Sequence, residues 1–236
     1  MTTSLVAVSH EITEGKWTEN DKLMSSEVQS RFVSEVLPQL TDKSLILVEG
    51  FRDDQLIYPA RSNYDYNAFR SYYFGDALGS LRPTFGGFDP RYTADDEAAA
   101  RNAQRYDQWG EIVTEVVEIE TSGLNELPSL DEIIALTPRG RARVTLKRRL
   151  TREERQLVRT LTKLNQEVDQ AYIKAIRTHG KDYDHCIFVG GPGHVVPIAI
   201  QTGHPAINLV PIVQMGQALL ISLCDRWLPL LANKKR

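Results

Sequence analysis

The sequence predicts an α/β fold, a mainly parallel β-sheet flanked by helices, on three observations: short apolar runs rich in β-branched residues, helical periodicities between them, and capping boxes that open helices. Leu5 to Val8 is the first run. A helical pattern with Leu23, Val28, Phe32, Val36 and Leu37 follows between Asp21 and Pro38, and Leu45 to Val48 is the second run. Strand, helix and strand in that order make a βαβ unit, whose right-handed crossover sets the two strands parallel.

Between Tyr58 and Pro90 the periodicity lapses into a segment rich in tyrosine and arginine (Tyr64, Tyr66, Arg70, Tyr72, Tyr73), which reads as a loop or lid. Order returns at Thr93 to Asp96, a capping box followed by Ala99, Ala103, Tyr106, Val113, Val116 and Val117 at helical spacing. Ser129 to Glu132 and Thr151 to Glu154 are further capping boxes. The second opens a helix with Leu157, Leu161, Leu164, Val168, Tyr172 and Ile176 on one face, ending near His179 and Gly180. Cys186 to Val189 is the third strand, followed at once by Gly190, Gly191, Pro192, Gly193 and His194, and Ala206 to Val210 is the fourth, ahead of a last helix. The middle third, Tyr58 to Arg149, reads as a helical insertion, a cap or lid, within one domain spanning residues 1–236.

A chain of 236 residues with 42% hydrophobic content buries a real core as a single domain. Its formal charge of −3 argues against a nucleic-acid binder, because such binding rests on neutralising phosphates. The two cysteines, Cys186 and Cys224, sit among apolar neighbours and support neither a disulfide framework nor a thiolate metal cluster. Met1 to Val8 has no basic region and is too short for a secretory signal, and Pro211 to Leu230 is interrupted by Gln214, Gln217, Asp225 and Arg226. The expectation is a cytoplasmic chain without a transmembrane segment.

Three of these strands end in a residue that binds metals or moves protons: His10 after Val8, Glu49 after Val48, and His194 beyond Val189. In open parallel sheets the ligand crevice lies outside the carboxyl ends of the strands, so these side chains converge on one rim. Two imidazoles and a carboxylate form a ligand set for a divalent metal with an open position for water. Taken singly, a histidine after a strand is an ordinary loop residue; the coincidence of the three is the signal. The amides of Gly191 and Gly193, near a helix start, are candidates to hold an anion or a cofactor group, or form only a tight turn.

These motifs resemble a superfamily that joins TraB and its relatives, the Tiki proteases, ChaN-like haem-binding proteins and erythromycin esterases. The opening G-x-x-H is similar to Ala7-Val8-Ser9-His10 with alanine in place of glycine, the strand ending in glutamate to Leu47-Val48-Glu49, the G-x-D element to Gly87-Phe88-Asp89 with Arg91 close behind, and the closing G-x-x-H to Gly191-Pro192-Gly193-His194. The family's arginine on the helix before the last motif is missing, since Glu167-Val168-Asp169 stands there. The resemblance implies a hydrolase of an ester, amide or phosphoester bond, with His10, Glu49 and His194 as metal ligands or acid/base groups and Asp89 orienting one of them.

A different class of function is a non-catalytic protein that takes haem, a nucleotide or a partner chain in the same crevice. Arg139 to Arg159 is rich in basic residues, which suits either a solvated helix face or the steering of a small phosphorylated substrate.

Overall fold

The computed structural model describes residues 2–8, 26–50, 52–59, 63–91, 96–121 and 142–209. Among them, six strands form one sheet: β1 (Thr2–Ala7), β2 (Ser44–Val48), β3 (Arg52–Ile57), β4 (Thr84–Phe88), β7 (His185–Gly190) and β8 (Ala206–Asn208), in the order β3-β4-β2-β7-β1-β8. All pairings are parallel except that of β3 with β4. The mainly parallel α/β fold read from the sequence is the fold of the protein. A separate antiparallel pair joins β5 (Val117–Thr121) to β6 (Ala142–Leu146).

The stretches Leu5–Ala7, Leu45–Val48 and Cys186–Val189 of the central strands are apolar on both sides because both faces of the sheet are covered. On one face Leu5, Ala7, Leu45, Leu47, Cys186 and Phe188 meet Leu161, Val168, Tyr172 and Ile176, while on the other Val6, Ile46, Val48, Ile187 and Val189 meet Phe32, Val36, Phe74 and Phe85. The helix expected from Asp21 is described from Ser26 onward, as α1 (Ser26–Arg31) followed by a π-helical turn (Phe32–Val36) and a 3₁₀ turn (Leu37–Gln39). The long helix expected from Thr93 is α3 (Asp96–Val116); Val117, assigned to it from periodicity, instead starts β5.

The segment between Tyr58 and Pro90 is not only a loop or lid. It holds α2 (Asn63–Phe74) and β4, which lies inside the sheet between β2 and β3, so this part of the stretch read as an insertion belongs to the sheet. Two glycines mask the alternation of this strand, and the first sits in a crowded place: a Cβ on Gly86 would stand 3.0 Å from the side chains of Leu56 and Phe88, which would have to shift. Three aromatic residues of α2, Tyr66, Phe69 and Phe74, are core, with the Tyr66 and Phe69 rings 5.3 and 5.0 Å from Phe85.

The helix α4 (Arg152–His179) opens as the sequence predicts, with a capping box in which Thr151 and Glu154 satisfy each other's backbone amides. Its turns at Asp169 and Tyr172 lie against the carboxyl ends of the strands, where the Tyr172 hydroxyl meets the Val48 carbonyl and Asp169 meets His194. The helix α5 (Pro192–Thr202) starts one residue after Gly191, its N-cap, and ends at Gly203 in the left-handed region. Among the described residues no helix is long and apolar enough to cross a membrane. The apolar stretch after Val210, the capping box at Ser129 and Cys224 lie outside the described residues.

Candidate functional site

Glu49 follows β2 directly, and its amide donates to the Val189 carbonyl at 2.9 Å, which fixes it at the carboxyl end of β7. Asp89 follows β4 in the same way and is fully buried. His194 sits in the first turn of α5, after β7, and is 5% exposed. The strand ends therefore bring Glu49, His194 and Asp89 to one rim. His10 lies outside the described residues.

The imidazole of His194 is held between two carboxylates. Its Nδ1 is 2.8 Å from Asp169 Oδ1, and its Nε2 is 3.5 Å from Glu49 Oε1. An ionised Asp169 only accepts, so the Nδ1 proton lies between the two and Nε2 carries the lone pair of the neutral ring. Burial alone lowers the pKa of His194, but the nearby charge of Glu49 and the hydrogen bond to Asp169 outweigh it and raise the group above its ordinary 6.5.

Glu49 is held at both oxygens. Oε1 accepts from Arg91 Nη2 at 2.7 Å, and Oε2 accepts from the Gly191 amide. That amide, expected to face an anion or cofactor, is thus spent on a carboxylate of the protein itself, and Gly193 lies in the first turn of α5. Gly190 permits the approach, since a Cβ there would lie 2.8 Å from Glu49 Oε2 and 2.7 Å from the Phe188 ring.

Asp89 acts on the site through Arg91. It binds Arg91 through Nε at 2.9 Å, through Nη2 and through the backbone amide at 3.0 Å, and it accepts the Gly50 amide at 3.0 Å. Gly50 stands in the left-handed region at φ 79°, which turns the chain sharply enough after Glu49 to present that amide. Asp89 orients the arginine, which in turn orients the glutamate. Burial opposes the charge of Arg91, but Asp89 and Glu49 more than compensate, so its pKa lies well above the ordinary value.

Asp169 and Arg91 join the site beyond the residues expected from the strand ends and the G-x-D element. Asp169 comes from α4, where Asn165, Asp169 and Tyr172 follow at helical spacing and are all buried. The Tyr172 hydroxyl donates to the Val48 carbonyl, tying α4 to the residue before Glu49. Val168 is core, so α4 offers no guanidinium there; among the described residues the one at this rim is Arg91, braced by α3 through the Tyr106 ring at 5.5 Å and Asn102 Nδ2, which donates to the Arg91 carbonyl at 3.3 Å.

Three buried carboxylates, Glu49, Asp89 and Asp169, thus surround one guanidinium and one imidazole. Buried charge of one sign in excess calls for a proton or a metal ion. Among the described residues no group of three His, Cys, Asp or Glu side chains is placed to hold an ion. Two are: the 3.5 Å between His194 Nε2 and Glu49 Oε1 is close to the ~3.4 Å edge of a tetrahedral site with bonds of ~2.1 Å. The carboxylate on the far ring nitrogen is also what a metal-bound histidine carries.

The basic stretch is partly absorbed by the protein: Arg148 pairs with Glu115 and Glu154, and Arg155 donates to the Leu150 carbonyl, while Arg139 and Arg141 lie outside the described residues. An open groove of about 580 Å³ lies at the amino ends of the strands, lined by Lys43, Tyr58, Thr84 and Tyr183 among others, away from the buried carboxylates. Compared with protein-family models, with curated proteins and with solved structures, the chain matches none of them.

Proposed function

We propose that the protein is a hydrolase that activates water at His194, in the manner of the TraB, Tiki and erythromycin esterase superfamily its motifs resemble. The observation that carries this reading is the buried Asp169 carboxylate on Nδ1, which leaves Nε2 facing Glu49 and not the apolar core. A base oriented by a third group is the recurring logic of acid/base catalysis on water and on nucleophilic side chains. His194 Nε2 takes a proton from water, Asp169 and Glu49 stabilise the imidazolium, and the same proton is returned to the leaving group. Glu49, fixed by Arg91 and Gly191, holds negative charge beside Nε2 throughout. A buried free thiol at Cys186, its pKa pushed up to about 12 by burial, favours a reducing, cytoplasmic setting.

The Nε2 to Oε1 separation favours a second reading, in which His194 and Glu49 are two ligands of a divalent ion and His10 is the candidate third. An ion there would act as a Lewis acid and make water nucleophilic at neutral pH. In that case Asp169 fixes the ring orientation and Arg91 fixes Glu49.

The test is hydrolysis of p-nitrophenyl esters by protein purified with and without chelator, with elemental analysis beside it. On the first reading His194→Ala lowers kcat by about a hundredfold to ten-thousandfold and the chelator changes nothing. Loss of activity together with about one metal per chain selects the second. Unchanged activity in both His194→Ala and Glu49→Gln overturns the proposal.

A further inference from the structure

The guanidinium of Arg91 offers two edges, each with two parallel N–H donors. Asp89 fills the first, made by Nε and Nη2. Glu49 Oε1 takes the remaining Nη2 hydrogen at 2.7 Å and so lies on the second edge. The companion donor of that edge, on Nη1, has no acceptor among the described residues. Because the two donors of an edge point the same way, an acceptor on Nη1 sits beside Glu49 Oε1, the oxygen 3.5 Å from His194 Nε2.

This donor is rigid. Asp89 holds the side chain at one edge, the Tyr106 ring lies against it, Asn102 holds its carbonyl, and the side chain keeps 13% of its surface exposed. A fixed donor beside a base, aimed where charge develops, is the arrangement that stabilises an oxyanion.

We infer that Arg91 Nη1 receives the carbonyl oxygen of an uncharged acyl substrate, a carboxylic ester or amide, an assignment that rests on the hydrolase reading above. The water oxygen adds to the acyl carbon as its proton passes to His194 Nε2, and the carbonyl π pair moves onto the oxygen beside Nη1. Collapse restores the carbonyl and breaks the bond to the leaving oxygen or nitrogen, which takes the proton back from Nε2. One water is consumed, and an acid and an alcohol or amine are formed. The excess of buried carboxylates selects the substrate class, since a phosphate monoester would bring further negative charge against Glu49, Asp89 and Asp169. An acyl group is neutral until the transition state.

The experiment compares p-nitrophenyl butyrate, its thiono analogue (C=S in place of C=O) and p-nitrophenyl phosphate on the wild type, Arg91→Lys and His194→Ala, with thermal unfolding of each. Lysine keeps the charge near Asp89 and Glu49 but lacks the parallel donor. The expected result is a loss of about a hundredfold to a thousandfold in Arg91→Lys, carried by kcat. The wild type is expected to favour the carbonyl over the thiocarbonyl ester by at least about tenfold, because sulfur accepts poorly, and to leave the phosphate untouched. That preference is measured on the unaltered protein and stands even if the lysine variant unfolds. An Arg91→Lys rate near that of the wild type with His194→Ala inactive overturns this inference and leaves the hydrolase reading intact, as does preferential turnover of the phosphate. Wild-type protein that hydrolyses none of the three overturns both.

Discussion

Asp169 Oδ1 lies 2.8 Å from His194 Nδ1, and each residue is 5% exposed. Two helices packed in the same core cluster are thus joined by a charge-assisted hydrogen bond at the rim where the strands end, besides the Gln170 to Gln201 hydrogen bond between them. Because the imidazole must be neutral to take a proton from water, activity appears as pH rises through its pKa. Glu49 and Asp169 raise that pKa against the opposing effects of burial and Arg91, so the rising limb of kcat/KM is centred above pH 6.5. Replacing Asp169 by Asn removes a negative charge and the acceptor for Nδ1–H, which moves the limb to lower pH and lowers kcat by about a hundredfold or more through misorientation of the ring. A pH–rate profile of Asp169→Asn that overlays the wild type refutes the coupling.

The same group links stability to pH. Its pKa is higher in the folded protein than in the unfolded chain, so its contribution is complete below about pH 6.5 and is lost as pH rises through the folded value. Urea midpoints of the chelator-treated protein are therefore expected to fall across that window, and those of His194→Gln to fall less. Equal pH dependence in the two proteins removes His194 as the cause.

Gly190 is where backbone and site meet most closely. An alanine there drives its Cβ into the Phe188 ring and Glu49 Oε2, at 2.7 and 2.8 Å, in a strand whose neighbours on both sides are fixed by pairing. The expected cost is about 1–3 kcal/mol, read as a drop of about 2–4 °C in Tm per kcal/mol. Hydrolysis should fall further than the stability loss explains, because Glu49 must leave the Gly191 amide to make room. Full activity in a folded Gly190→Ala protein shows that Glu49 is not held where the reaction needs it.

Glu49 and His194 were legible in the sequence because each terminates an apolar run, and the geometry of parallel sheets gathers such ends without knowledge of the strand order. Asp89 came from its G-x-D setting, although its strand went unrecognised: Gly86 and Gly87 erase the alternation that marks a strand. The order β3-β4-β2-β7-β1-β8 is decided by packing between segments far apart in the chain, which no local pattern encodes. Asp169 escaped because it adjoins Val168 on what reads as the apolar face of a long helix. Its signal was present in Asn165, Asp169 and Tyr172, polar groups at i, i+4 and i+7 within that buried face. A charged residue inside an apolar stripe needs a partner, and His194 was among the few side chains able to provide one.

Tyr172 tests whether α4 serves the site as well as the core. Its hydroxyl is buried and donates to the carbonyl of Val48, the residue before Glu49, while its ring packs on Phe188 at 4.5 Å between centroids. Phenylalanine keeps the ring packing and loses only the hydrogen bond, at about 1 kcal/mol. If the bond does no more than fill the core, stability falls by that amount and kcat is unchanged. If it sets where β2 ends, Glu49 shifts relative to His194 and kcat falls by about tenfold with little change in KM, since sub-ångström misplacement of reacting groups acts on the transition state more than on binding. The second result is expected, because the Val48 carbonyl belongs to the peptide group that carries the Glu49 nitrogen and the side chain of Glu49 has both oxygens fixed on other parts of the chain.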